Sequence, residues 1–325
     1  MSGKSKINFG FDYKNILKIA PTKINRVMSD KKIKITKATR FDYTIESFQD
    51  EEIKIVENPA YYREYDENGN LTEETIYGPG GYISEKYSFV YNNGKVAEQK
   101  TWLDETTVAE HQFFEYDGDK LVKIITKYEE GYSDETRLEY DEEGRLVSKI
   151  TFDDGEEGEK QLTEYNGNGQ TTIKYDEYGN KESEETTETD DKGNVTYRKI
   201  IDFNEETEEE TRYEYDSSGK IIREEHSGNY EGAGRTVENF YDEKGRLIKT
   251  ITKTTDGNQT ILEIGYDENG NEVTQVEKND AGELNHTVKR NYDENGNVVD
   301  TEVEIFNHGY DMDQHYVIKY EYVYY

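Results

Sequence analysis

Tyr292-Asp293-Glu294-Asn295-Gly296-Asn297 decides how this chain is read, because the same hexapeptide stands at Tyr65 and at Tyr266. Looser copies begin at Tyr91, Tyr116, Tyr140, Tyr165, Tyr215 and Tyr241, and a copy without its tyrosine runs from Asp190 to Asn194. The starts fall 24 to 26 residues apart. A fixed period of this size marks a repeat architecture. Asp or Asn before Gly, between alternating apolar and polar residues, is a strong hairpin signal. Glycine takes a positive φ without a Cβ clash, and Asp preforms the turn by bonding its own backbone two residues on.

An aliphatic residue usually follows two places after the glycine, as at Leu71, Val96, Leu146, Ile221, Leu247 and Val298. A period-two strand follows, with Leu146, Ser148, Ile150 and Phe152 on one face. A second turn, such as Asp256-Gly257-Asn258, sends the chain back to the next tyrosine. Each unit is therefore two strands and two tight turns, with no room for a crossover helix. The expected fold is all-β: an antiparallel meander of about twenty strands. Open sheets rarely exceed about ten strands without curling, so the expectation is a long, twisted or coiled open sheet. A closed propeller is the alternative.

Hydrophobic residues make up 32% of the 325, below the usual 45–50%. Tyrosine occurs 29 times against one tryptophan. A tyrosine ring packs on a pleated surface while its hydroxyl stays wet, so the unit tyrosines are expected to form a column across the sheet.

Residues 1–40 stand apart. They hold eleven Lys or Arg and two acids, a net of +9, which leaves −42 on the rest of a chain whose total is −33. They read as a basic arm or cap, with Lys31, Lys32, Lys34 and Lys37 as anchor candidates. Residues 41–60 read as degenerate capping strands, 61–305 as the hairpin repeats and 306–325 as a C-terminal capping strand. In that last strand Tyr316, Ile318, Tyr320, Tyr322 and Tyr324 share one parity. An exposed edge there invites self-association.

Catalytic constellations are poor. His111, His226 and His286 are scattered, and His308, Asp311, Asp313 and His315 alone cluster. Solvated loop is the first reading of that cluster and a metal site the second. The Asp-Glu-Asn-Gly-Asn turns lack the twelve-residue ligand set of a calcium loop. Phosphate loops, nucleotide fingerprints and nucleophile motifs are missing. The expectation is a protein that is no enzyme and carries no cofactor or metal.

The Tyr-Asp-x-x-Gly-x-Leu pattern, complete at Tyr65 to Leu71, Tyr140 to Leu146 and Tyr241 to Leu247, resembles the YD repeats of Rhs-type proteins. It is also similar to the variant MORN repeats of bacterial antitoxin-like proteins (compare Tyr91 to Lys95). The YD resemblance implies coiled sheets that build a shell, and neither resemblance implies catalytic residues.

These observations lead to a non-catalytic protein-binding repeat, of the immunity or antitoxin kind, whose acidic body neutralises a basic toxin. Partner-binding candidates are Tyr65, Tyr91, Tyr116, Tyr140, Tyr215, Tyr241, Tyr266 and Tyr292, with Glu184, Glu185, Glu208 and Glu209 in the most acidic stretches. The alternative is a structural or assembly subunit of a cell surface or phage particle, anchored by the basic arm. The acidic body is expected to repel nucleic acid. With no helix-length apolar run and no signal-type segment, the chain reads as having no membrane span and as cytoplasmic, or surface- or particle-associated by another route.

Overall fold

The Asp-x-x-Gly sequence makes a five-residue turn that is locked three ways. At the last copy, the Asp293 backbone N–H donates to the Asn297 carbonyl (2.8 Å) and the Gly296 N–H to the Asp293 carbonyl (3.0 Å). The Asp293 carboxylate accepts from the N–H of Asn295 (2.9 Å) and of Asn297 (2.8 Å), and from the Asn297 amide (2.9 Å). Gly296 sits at φ 80°, where a Cβ is disfavoured. Asn93-Gly94 makes a tighter turn, with φ 52° and 76°, as a two-residue hairpin requires.

A computed structural model describes residues 32–45, 53–308 and 313–325. The strands are β1 (Ile33–Ile45), β2 (Ile53–Tyr65), β3 (Leu71–Tyr77), β4 (Ile83–Asn92), β5 (Lys95–Trp102), β6 (Val108–Asp117), β7 (Lys120–Tyr128), β8 (Ser133–Tyr140), β9 (Leu146–Asp153), β10 (Glu156–Asn166) and β11 (Gly169–Tyr175). They continue as β12 (Lys181–Thr189), β13 (Val195–Asp202), β14 (Thr207–Tyr215), β15 (Ile221–Gly228), β16 (Arg235–Tyr241), β17 (Leu247–Thr254), β18 (Gln259–Tyr266), β19 (Glu272–Asn279), β20 (Leu284–Tyr292), β21 (Val298–Ile305) and β22 (Gln314–Tyr324). Among the described residues one 3₁₀ turn, Pro79–Gly81, interrupts the series between β3 and β4.

Every strand pairs antiparallel with its sequence neighbours, and β1 also pairs with β22, from Ile33 opposite Tyr324 to Tyr43 opposite His315. The sheet is closed. This corrects the expected open sheet: the meander and the all-β class hold, but the ends meet in a 22-stranded barrel. The expected coiled shell and self-association through the C-terminal strand go with it, since β22 is hydrogen-bonded on both sides.

A repeated bend favours closure. Register slips immediately before the unit tyrosine in eight hairpins, as between Glu64 and Tyr65, Glu115 and Tyr116, and Asn291 and Tyr292. Each such bulge bends its strand and raises the local twist. At about 4.8 Å per strand, 22 strands give a perimeter of roughly 105 Å across the strands.

Parity assigns the two faces. Residues that share a face with the unit tyrosines include the buried cluster Ala38, Tyr61, Val288, Val303, Tyr316 and Ile318. They also line a cavity spanning β22, β1, β2, β3 and β4. A concavity across five consecutive strands belongs to the inner side of a curved wall, so the tyrosines face inward. Elsewhere the inner face is polar, with hydroxyl pairs Thr136–Thr151 (3.1 Å) and Thr163–Thr172 (3.0 Å). The outer face carries charge pairs along the circumference, such as Lys123–Glu115 (2.8 Å), Lys199–Glu208 (2.7 Å) and Lys253–Glu238 (3.5 Å).

Two further expectations fall with closure. The absence of a membrane span was inferred from the lack of a helix-length apolar run. A barrel crosses with strands, so that criterion does not apply to this fold. The cytoplasmic expectation rested on the same ground and is withdrawn with it.

Candidate functional site

The unit tyrosines form the column that the repeat implies, and each is tied down. Tyr91 donates to the Leu71 carbonyl (2.9 Å), Tyr116 to Val96 (3.0 Å), Tyr140 to Leu121 (2.9 Å) and Tyr165 to Leu146 (3.1 Å). The same bond recurs from Tyr215 to Val195 (2.7 Å), Tyr241 to Ile221 (2.8 Å), Tyr266 to Leu247 (2.9 Å) and Tyr292 to Glu272 (2.8 Å). At the seam the Tyr65 carbonyl accepts from the Tyr325 hydroxyl. The residue after the turn glycine often covers the next ring: Arg246 lies 4.3 Å from the centroid of Tyr266, and Lys95 5.2 Å from that of Tyr116. This cation–π contact links one unit to the next. Its signal was legible as the Lys or Arg between the turn glycine and the aliphatic residue.

The immunity reading needed the tyrosine column on an exposed surface. The closed barrel turns the column inward with its hydroxyls engaged, and that reading is given up. The acidic candidates are divided between the faces. Glu184 and Glu208 point outward to Lys181 (2.9 Å) and Lys199 (2.7 Å). Glu185 points inward to Arg198 (2.6 Å), and Glu209 accepts from the Tyr230 hydroxyl (3.1 Å). Of the anchor candidates, Lys31 lies outside the described residues. Lys32 donates to the Glu67 carbonyl (2.6 Å), and Lys34 and Lys37 lie over the rings of Tyr325 and Tyr62. The boundary drawn at residue 40 falls inside β1.

The histidine cluster separates. His315 meets Glu302 (3.0 Å) and stacks on Tyr43 (4.5 Å between centroids), whereas His308 meets Asn285 (3.3 Å). Asp313 accepts from the Asn307 N–H (2.8 Å), and Asp311 lies outside the described residues. Among the described residues no group of three or more His, Cys, Asp or Glu is arranged to hold a metal ion.

The feature with the geometry of a site is the cavity at the rim opposite the Tyr-Asp turns. Its volume is about 910 Å³, within the range of ligand pockets, which barrels often place at their mouths. Two arginines cross its floor. Arg40 pairs with Asp42 (2.7 Å), its guanidinium 3.6 Å from the Tyr316 centroid. Arg63 pairs with Glu74 (2.7 Å) and lies 4.5 Å from the Tyr61 centroid. Burial works to lower the Arg63 pKa, but the bond to Glu74 and the adjacent tyrosines outweigh it and hold the cation. Burial raises the Tyr61 phenol well above its ordinary range, so it stays protonated.

The lip is apolar and built from departures from the repeat. Pro59 sits at a bulge of β2, where register slips opposite Ala38 and Thr39, and a bulge is one of the few places in a strand where the missing N–H is tolerated. Gly80 and Gly81, both at φ 80°, turn the chain back beside Pro59. Tyr82 is 61% exposed. Its ring lies across Gly78, where any Cβ would stand 2.4 Å from the ring carbon Cζ. Sequence reasoning singled out none of these as a site. The available signal was the doubled Tyr61-Tyr62 and the Pro79-Gly80-Gly81 break, both outside the repeat pattern.

No family model and no curated protein matches the chain. Among solved structures it is similar to the crystal structure of a porin-like protein from Bacteroides uniformis, at 13% identity over 90% of this chain and 96% of that one. The TM-score is 0.31, which is too low to carry an argument about fold or function.

Proposed function

We propose that this chain is a non-catalytic binding barrel whose ligand seats in the mouth cavity between β22, β1, β2, β3 and β4. The observation that carries the reading is the cavity: about 910 Å³, floored by two arginine–carboxylate pairs stacked on tyrosines and lipped by Pro59, Pro79 and Tyr82. Such a surface supplies apolar area with a few fixed polar groups, which is how ligand sites gain both affinity and orientation. Both floor arginines are already matched by carboxylates, which suits a ligand held by shape and apolar contact more than by net charge. The charge pairs at mid-strand on the outer face and the half-buried threonines inside fit a wall that is wet on both sides, with the mouth as its most enclosed surface.

The test is a reporter at the lip. A Tyr82→Trp variant that also carries Trp102→Phe has a single indole at the cavity edge. Its emission is expected to shift when extracts or compound mixtures from the native source supply the ligand. A reporter that stays silent toward every fraction, in a protein with unchanged circular dichroism, overturns the reading.

A further inference from the structure

We infer that the mouth cavity takes a neutral oligosaccharide; this rests on the binding reading above and names the class of ligand. The floor disfavours charged ligands. Each arginine there has its own carboxylate, Asp42 for Arg40 and Glu74 for Arg63, so these pairs offer no net charge. The chain around them carries −33, which repels phosphates, acidic sugars and acidic peptides alike. Both partners of each pair nevertheless keep 14% to 25% of their side-chain surface exposed. What they present is a guanidinium, which donates only, beside a carboxylate, which accepts only. A ligand that matches such a pair carries a donor and an acceptor on neighbouring atoms. Vicinal hydroxyl groups do, since each hydroxyl can take either part.

The pairs are also spaced for more than one sugar ring. Arg63 and Glu74 face each other across β2 and β3. Arg63 stands opposite Thr36 of β1, four residues from Arg40, a separation of roughly 13 Å along the strand. Two such pairs meet a chain of sugars rather than one, and a volume of about 910 Å³ leaves room for it.

The lip supplies the apolar half. A sugar ring has faces of C–H groups, and the negative face of an aromatic ring attracts them. Tyr82 is such a platform. One side of its ring rests on Gly78, where a Cβ would stand 2.4 Å from the ring carbon Cζ. Gly78 has ordinary extended dihedrals, φ −85° and ψ −179°, so its lack of a side chain serves the ring and not the backbone. Tyr82 is otherwise mostly exposed, and it lines the cavity with Pro59, Ile76, Tyr77 and Pro79.

The experiment is isothermal titration calorimetry of the full chain with neutral tetrasaccharides of glucose, mannose, galactose and N-acetylglucosamine. Their sulfated and fully O-methylated forms, and the neutral apolar probe N-phenyl-1-naphthylamine, serve as comparisons. At least one neutral tetrasaccharide is expected to bind. Its O-methylated form keeps the ring faces but donates nothing to the carboxylates, and is expected to bind at least about tenfold more weakly, the size of one hydrogen bond to a charged group. Gly78→Ala and Tyr82→Ala are each expected to weaken binding by a similar factor with circular dichroism unchanged. Tyr178→Ala, which deletes an exposed ring at another turn of the same rim, is expected to leave it unchanged. Equal binding of the O-methylated form, or tighter binding of the sulfated one, overturns the saccharide reading. A loss in Tyr178→Ala equal to that in Tyr82→Ala places the ligand elsewhere and overturns it too. Heat from N-phenyl-1-naphthylamine with none from any tetrasaccharide also overturns it and leaves the mouth as a site. No heat from any probe, together with a silent Tyr82→Trp reporter, sinks both proposals.

Discussion

The seam and the repeat wall are built from different material. In the seam (β20, β21, β22, β1 and β2) Val288, Val303, Tyr316, Ile318, Ala38 and Tyr61 are buried together. Around the wall, from β5 to β14, the buried side chains among the described residues are Thr126, Thr136, Ser148, Thr163 and Thr211. The wall stands on turn chemistry, tyrosine-to-carbonyl bonds and cross-strand hydroxyl pairs, each local to one or two units. The seam stands on hydrophobic burial, which joins the two ends of the chain. Repeats of this sort supply nearest-neighbour stability, whereas closure requires one contact set of very long sequence separation.

Breaking the seam should have the largest effect. Truncation after Ile305 removes β22 and leaves β1 and β21 as long open edges. Such edges template aggregation. The truncated chain is expected to leave the monomer peak in size-exclusion chromatography with light scattering. A monodisperse monomer of native circular dichroism would show that the wall holds its shape without closure.

The wall has its own global test, because its tyrosine hydroxyls must stay protonated to donate. Burial raises the phenol pKa of Tyr91, Tyr215, Tyr241, Tyr266 and Tyr292 above the ordinary value. For an acid whose folded pKa is raised, the contribution is complete below the unfolded value, about 10. It is lost as pH rises through the folded values. Cooperative unfolding is therefore expected above pH of about 10, with phenolate absorbance and far-ultraviolet dichroism changing together. Phenolate formation with dichroism unchanged would mean that the column bonds contribute little.

At the level of single residues the seam should again respond more. Tyr316 is 1% exposed, and Arg40 lies over its ring. Tyr316→Ala is expected to cost about 3–5 kcal/mol, the range for deleting a large buried ring. Asp293→Ala removes three hydrogen bonds from a turn that is partly in water, and about 1–2 kcal/mol is expected. Urea titration reads both. A turn variant that costs as much as the seam variant would erase the distinction between the two regions.

The same division explains what was legible. The hairpins, the turns and the shared face of Ser148, Ile150 and Phe152 follow from neighbours a few residues apart, and they are present; the bulge before Tyr140 sets Leu146 off from that face. Tyr175 to Asn180 carries the same Tyr-Asp chemistry at a second turn, and it joins β11 to β12 at the rim opposite the other Tyr-Asp turns. Closure was not legible because its partners are distant: Ala38 meets Tyr320, and Lys37 meets Glu321. No local pattern announces such a pair. The shared parity of Tyr316 to Tyr324 was seen but assigned to a cap, and Lys32, Lys34 and Lys37 were read as part of a basic arm or cap. The bulges before the tyrosines, which bend each unit, leave no mark in the turn motif. The mouth cavity was missed because it is made where the repeat fails, at Pro59 and Pro79 to Gly81.

The smallest effect should come from the charge pairs that decorate the outer face of seam and wall alike. Lys289 and Glu302 lie 3.3 Å apart on adjacent strands, with their side chains 56% and 34% exposed. An exposed pair gains little in water and loses side-chain freedom when it forms. Glu302 also holds His315, so it keeps a partner when the lysine is gone. Lys289→Met retains the methylene stem against the strand and removes the charge. The expected change in urea stability is within about 0.5 kcal/mol of zero, in low salt as in high. A loss of about 2 kcal/mol or more at low salt, recovered at high salt, would mean that the outer charge ladder acts as a network and that the seam is held by more than its buried apolar cluster.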